Sequence, residues 1–270
     1  ERHPRPSISA CATGGMIPGT RESRRVVGDH LQTEHDLNGG WKQRDDGVAI
    51  GGWSFDEHPP GGFDAPQERP YRAVRMEEPY NIAFESLYSK NIANLMMAGR
   101  NISNTHVAFT STRVMATCAC IGQAVGTGAA MCVEHQTDPR TLRRTRMREL
   151  QQRLLRDDQP IRGVANEDPA DVAREATVTA SSDHEGGKPE HVIDGVPRDM
   201  PGESHHRWRA ILGDGAWLQL AWTSPQRIGH VQIAFDSGFH RELTLSASNG
   251  VTNRVIRAPQ PETVRDSRVV

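Results

Sequence analysis

The stretch Asn91–Met131, NIANLMMAGRNISNTHVAFTSTRVMATCACIGQAVGTGAAM, decides how this chain is read. Its apolar run Asn94-Leu95-Met96-Met97-Ala98 has the length and character of a central parallel strand buried on both faces. Ala98-Gly99-Arg100 follows, where a glycine lets the backbone come close to a ligand at the carboxyl end of the strand. A polar crossing that carries His106 leads to a long helix rich in Gly and Ala. Ser111 or Thr112 is the expected cap, so the first-turn amides from about Arg113 through Val114 to Met115 would face an anion. Gly122, Ala124, Gly126 and Gly128 read as packing residues that let the helix lie close to a sheet. The G-x-G-x-x-G fingerprint that seats a diphosphate between a first strand and helix is nowhere in the 270 residues. The stretch reads as the second half of an α/β ligand-binding domain.

Composition sets outer limits. Hydrophobic residues make up 36% of the chain and mean hydropathy is −0.62, so much surface or an incomplete core is expected. A net charge of −2 gives no basic field for nucleic acid. No apolar run is read as long enough to span a membrane. Cys118 and Cys120 lie two apart on a helix and point to different faces, so they do not pair there. With Cys132 they are expected to be small buried hydrophobes, and no metal site is expected.

Three zones follow one another. Residues 1–134 mix short strands, turns and the long helix. Residues 135–166 form a charged helical connector, capped by Thr137 or Asp138 with Pro139 at its first position. Leu142, Met147, Leu150, Leu154 and Leu155 make its apolar stripe. Residues 167–270 carry the period-2 alternation of antiparallel strands at 216–222, 228–236 and 242–248, the pattern of a sandwich or jelly roll. The last residues read like the middle of a further strand, so this zone, like the first, is expected to be incomplete.

Three blocks, RESRRVVGD (21–29), GGW (51–53) and AGR…STRVMATCACIGQAVGTGAA (98–130), resemble the C-terminal half of a bacterial family of FAD-dependent oxidoreductases. The resemblance covers roughly residues 19–134. It implies the C-terminal part of a Rossmann-type FAD-binding domain and hydride transfer from an organic donor to flavin. Under it, Ala98, Gly99, Arg100, Ser111, Thr112, Arg113, Val114 and Met115 are the expected cofactor contacts. A helix N-terminus there would stabilise the anionic reduced ring. His106 is the first candidate for the catalytic base, and His58, with Asp56 beside it to orient it, is the second. Arg21, Arg24 and Arg25 are expected to be salt-bridged to carboxylates such as Glu22 and Asp29.

In the third zone, ATVTASSDHEGGKPEHVIDG (176–195), Trp208 and the WLQLAW strand resemble discoidin-type, galactose-binding-like jelly rolls. The resemblance implies a carbohydrate setting and favours export. Asp194 is expected to be an ordinary turn residue, although in such modules the equivalent turn often holds calcium. Trp208 and Trp217 are expected in the core. The fold class is thus α/β followed by an all-β antiparallel sandwich. A non-catalytic carbohydrate-binding module, and a partner chain that completes a flavin site, stand beside the enzyme reading.

Overall fold

The computed structural model describes residues 24–200, 205–211, 215–236, 249–261 and 263–270. Its contacts divide the chain into two units, Glu1–Leu154 with Ile161–Val164, and Leu155–Pro160 with Ala165–Val270. Along the first part run α1 (Glu34–Leu37), β1 (Gly47–Gly51), β2 (Phe55–Glu57), β3 (Arg72–Val74), β4 (Tyr80–Ala83), α2 (His106–Thr112), α3 (Met115–Glu134), α4 (Pro139–Thr145) and α5 (Met147–Arg156). Two antiparallel pairs form, β1 with β4 and β2 with β3.

The core of the first unit gathers around the β1–β4 pair. Val48, Tyr80, Ile82, Phe84, Ile121, Met131, Leu142, Leu150 and Leu154 are all fully buried there. Helix α3 buries Thr117, Ile121, Ala124, Gly128 and Met131, a spacing of four, three, four and three that keeps them on one stripe. Gly128 lets the helix come close here, because a Cβ would stand 3.0 Å from the Phe84 ring and press on it. Gly122 and Gly126, by contrast, face open space. They are not packing residues among the described residues, and α3 is apolar on two faces while only one is covered. At 20 residues, α3 has by length and composition what a bilayer span needs, but its stripe from Ile121 to Met131 is part of the core.

The expected parallel strand at 94–98 is not formed. Its only bridge joins Met96 to Tyr88 and is antiparallel, with Ser89 N–H donating to Leu95 O and Met97 N–H to Leu87 O. A parallel strand needs a parallel neighbour, and no described strand lies beside this one to supply it. Leu95, Met96 and Met97 are half-buried as a result.

The connector is two helices, not one. Asp138 caps α4 through a 2.9 Å bond from Thr141 N–H, with Pro139 in the first turn. The chain breaks at Arg146. A continuous helix would set Arg146 one turn below buried Leu142. The break puts Met147 into the core and leaves Arg146 exposed, paired with Glu149 at 2.8 Å. All five stripe residues are buried.

In the second unit, β5 (Thr177–Ala180) and β6 (Leu218–Ala221) pair antiparallel. The expected strand at 228–236 is absent; Ile228, Val231, Ile233 and Phe235 are exposed, and no described strand pairs with them. Alternation alone holds no strand without a ladder partner. Residues 242–248 lie outside the described residues. Trp208 is half-buried and donates from Nε1 to Ser182 O at 2.8 Å, but Trp217 is 51% exposed rather than in the core. Asp194 serves its turn, accepting from Val196 N–H at 2.8 Å while His206 Nδ1 lies 2.7 Å from its other oxygen.

Two glycine substitutions separate the covered from the open positions. At Gly51 a Cβ would meet the Tyr80 ring at 2.5 Å, so Gly51→Ala lowers stability by about 1–3 kcal/mol. Gly126→Ala meets nothing within 4 Å and raises it by roughly 0.5–1 kcal/mol. Urea denaturation of both variants measures this. A neutral Gly51→Ala would contradict the placement of Tyr80.

Candidate functional site

Helix α2 organises the site. Thr105 caps it, its hydroxyl accepting from Ala108 N–H at 3.1 Å. His106, Phe109 and Arg113 then fall three and four residues apart, on one face. The helix ends at Arg113, and Val114, in extended conformation, turns the chain into α3.

Ser111 and Thr112 are therefore not caps. Both are buried in the last turn of α2, where polar groups need partners. Ser111 Oγ donates to Trp53 O and lies 2.6 Å from the hydroxyl of Tyr80 on β4, so Tyr80 is the donor in that second bond. Burial pushes the Tyr80 phenol up, which keeps it a proton donor. Thr112 Oγ1 accepts from Asn104 Nδ2 at 2.9 Å. The Tyr80–Ser111–Trp53 chain pins the Gly51-Gly52-Trp53 segment to α2. It leaves the Trp53 side chain 55% exposed.

Arg113 joins α2 to the β2–β3 arm. Its Nη2 donates to Asp56 O at 2.9 Å and Asp56 Oδ2 at 3.1 Å. Its guanidinium carbon stands 5.5 Å from the centroid of the Phe109 ring, and that of Arg25 4.9 Å from it. His106 is exposed at the start of α2, with its ring stacked on Phe109 at 6.4 Å. His58 lies on the arm. Its Nδ1 is 2.9 Å from Pro70 O, while Asp56 is 3.9 Å away. The orienting partner of His58 is thus a backbone carbonyl, and Asp56 is held by Arg113.

The N-terminus of α3 is open. Val114 offers no side-chain cap, the first turn holds no acidic residue, and Met115 is 90% exposed. The first amides of a helix have no intrahelical acceptor, and they carry the positive end of the helix dipole. Arg100 comes close enough to act electrostatically on Cys118 in the next turn, opposing the upward push that burial gives its thiol. Gly99 has φ +105°, a conformation that favours glycine, and only Asn101 Oδ1 at 3.9 Å lies near a hypothetical Cβ. Ala98 is exposed in the same turn. Arg100 is thus within electrostatic reach of the first turns of α3, while Ser111, Thr112 and the Arg113 side chain are bonded within the fold.

In the arginine block, the expected partner Asp29 is bound elsewhere. Arg21 lies outside the described residues. Arg24 is exposed, Arg25 is drawn to Phe109, and Asp29 is taken by Arg140 at 2.5 and 2.7 Å. Tyr80 and Phe109 were absent from the candidates. The spacing of Phe109 between His106 and Arg113 was the available signal; the Tyr80–Ser111 bond spans 31 residues and leaves none.

A family model described as FAD dependent oxidoreductase matches residues 9–154, more than half of the chain. A second, described as a domain of unknown function (DUF7402), matches residues 171–249. No curated protein and no solved structure matches the chain.

The hydroxyl chain sets an order among substitutions. Ser111→Ala leaves the buried Tyr80 hydroxyl and Trp53 carbonyl without this partner and costs about 1–3 kcal/mol. Tyr80→Phe removes one donor and costs roughly 0.5–1.5 kcal/mol. The double variant costs less than the sum, because the two residues share one bond. Denaturant titration of the three proteins measures the cycle, and strict additivity would contradict the bond.

Proposed function

The chain belongs to the FAD-dependent oxidoreductase family, whose cofactor is FAD, and we propose that it oxidises an organic donor, a carbohydrate among the candidates, by hydride transfer to flavin. The observation that carries the reading is the open N-terminus of α3, whose first turns are within electrostatic reach of Arg100. Uncapped amides, a cation and a glycine turn with free space around it fit the ring end of a flavin. When bound, FAD supplies the two-electron acceptor; the rest belongs to the residues of this chain. The backbone amides of Val114 and Met115 would hold the bound flavin and stabilise the negative charge it gains on reduction. His106 is the base that accepts the donor's second proton. His58 is the alternative, carried on the β2–β3 arm. Phe109, between Arg25 and Arg113, positions His106 from beneath.

One observation favours a second reading, in which another polypeptide completes the site. The face of α3 that carries Gly122, Gly126 and Val133 is uncovered, and the 94–98 segment has no parallel neighbour among the described residues. A dinucleotide-binding sheet supplied by a partner would cover both. For the second unit, the galactose-binding-like sandwich is kept as a proposal, supported by the β5–β6 pair and the Asp194-Gly195 turn. A carbohydrate setting and export follow only from that resemblance.

Anaerobic mixing of FAD-loaded protein with a panel of alcohols, amines and sugars tests the chemistry through bleaching of the flavin band. With the donor that reacts, His106→Gln slows bleaching by about 10²–10⁴-fold and retains flavin. A variant that bleaches at the original rate moves the base to His58, to be checked by His58→Gln. No bleaching with any donor would contradict the oxidase-type reading.

A further inference from the structure

The β2–β3 arm, which begins at Phe55 and ends at Val74, is built as a separate piece of the first unit. Its two strands pair with each other and with no other described strand. Their ladder and the approach of His58 Nδ1 to Pro70 O, at 2.9 Å, brace it from within, so it moves as one body. Its base is anchored. Phe55 and Met76 are buried in the core, and Trp53 O, just before it, accepts from Ser111 Oγ. Beyond that base β3 is exposed along its whole length.

Arg113 ties the arm to α2 above its base. Its Nη2 donates to Asp56 O at 2.9 Å and to Asp56 Oδ2 at 3.1 Å. The Asp56 side chain is still 31% exposed, so water and salt compete for the pair and it can break without unfolding the core. Arg113 is also the last residue of the α2 cap and precedes Val114, where α3 opens. Its guanidinium lies over Phe109, on the face of α2 that begins at His106. Side chains two apart on a strand share a face, and His58 Nε2 is 3.9 Å from Asp56 Oδ2. Where Asp56 goes, His58 goes with it.

We infer that the Asp56–Arg113 pair is a latch and that the β2–β3 arm is a gate beside the α2–α3 junction. Latched, the arm rests on α2 and closes that side of the junction with His58 held toward it. Released, it swings out on its base at Phe55 and Met76 and takes His58 away. A braced element, an anchored base and one breakable contact are the parts that hinged closure needs. What the gate covers rests on the flavin reading of the junction; the latch itself does not.

Hydrogen–deuterium exchange of the full chain tests the latch without flavin. In Asp56→Asn and in Arg113→Gln, peptides over residues 55–76 are expected to exchange at least about threefold faster, while those over β1, β4 and α3 keep the parent rate. Asp56→Glu, which keeps the charge, stays near the parent. Added salt speeds exchange of the arm in the parent and not in Asp56→Asn. Arm exchange unchanged in both variants would overturn the latch, and so would a rise that extends through β1, β4 and α3, because the pair would then only support the fold. Stopped-flow mixing with FAD reads the gate. The two variants alter charge in opposite directions, so faster association and faster dissociation in both mark an opened gate. Rates that move in opposite directions mark charge alone and overturn it. If the parent takes up no FAD, the flavin reading fails and the gate with it, while the latch is judged by exchange alone.

Discussion

Everything at the candidate site depends on how closely α3 lies against Phe84. Gly128 makes that approach possible, and Ile121, Ala124 and Met131 extend it along the β1–β4 pair. A helix of 20 residues fixed along this stripe has a fixed N-terminus. The N-terminus sits where α2 ends, so the residues that hold α2 also aim α3. Those residues are buried polar groups: Ser111 between Tyr80 and Trp53, Thr112 on Asn104, and Arg113 on Asp56. Each has a specific partner because an unpaired buried polar group costs more than the bond returns.

A charged cluster anchors the start of β1 in the same unit. The Asp46 side chain is fully buried, accepts from Arg44 at 2.8 and 3.1 Å, and takes Glu85 N–H at 3.1 Å. Arg143 on α4 reaches Glu85 at 3.1 Å, and Gln151 on α5 donates to Asp45 O and Gly47 O. Helices α4 and α5 are thus tied to the start of β1 by side-chain bonds to its backbone and flanking carboxylates. Removing one member would strand a buried charge, which costs far more than an exposed pair is worth.

Local periodicity made part of this legible from the sequence. The apolar stripe from Leu142 to Leu155 and the cap at Asp138 depend on neighbours within a few residues, and both stand in the structure. The strand at 94–98 failed because strand type is decided by a distant partner that composition does not reveal. Ser111 and Thr112 have the residue types of caps, but Thr105 caps first, and an extended Val114 breaks the run with no Gly or Pro to announce it. At the site, the glycine turn at Gly99 and a helix beginning near Met115 were readable because a turn and a helix start are local features. Tyr80 was not, since its role comes from a contact across 31 residues.

The claim that the open end of α3 receives the flavin meets its most direct test in one titration of FAD against the parent protein and Ala116→Glu. Ala116 is exposed in the first turn, so a glutamate there opposes the dipole and raises helix stability by about 0.3–1 kcal/mol. The same charge repels an anionic ligand at that terminus. The account predicts quenching of flavin fluorescence by the parent, several-fold weaker binding by Ala116→Glu, and a melting temperature that does not fall. Equal FAD affinity in the two proteins, or no binding by the parent, would contradict it.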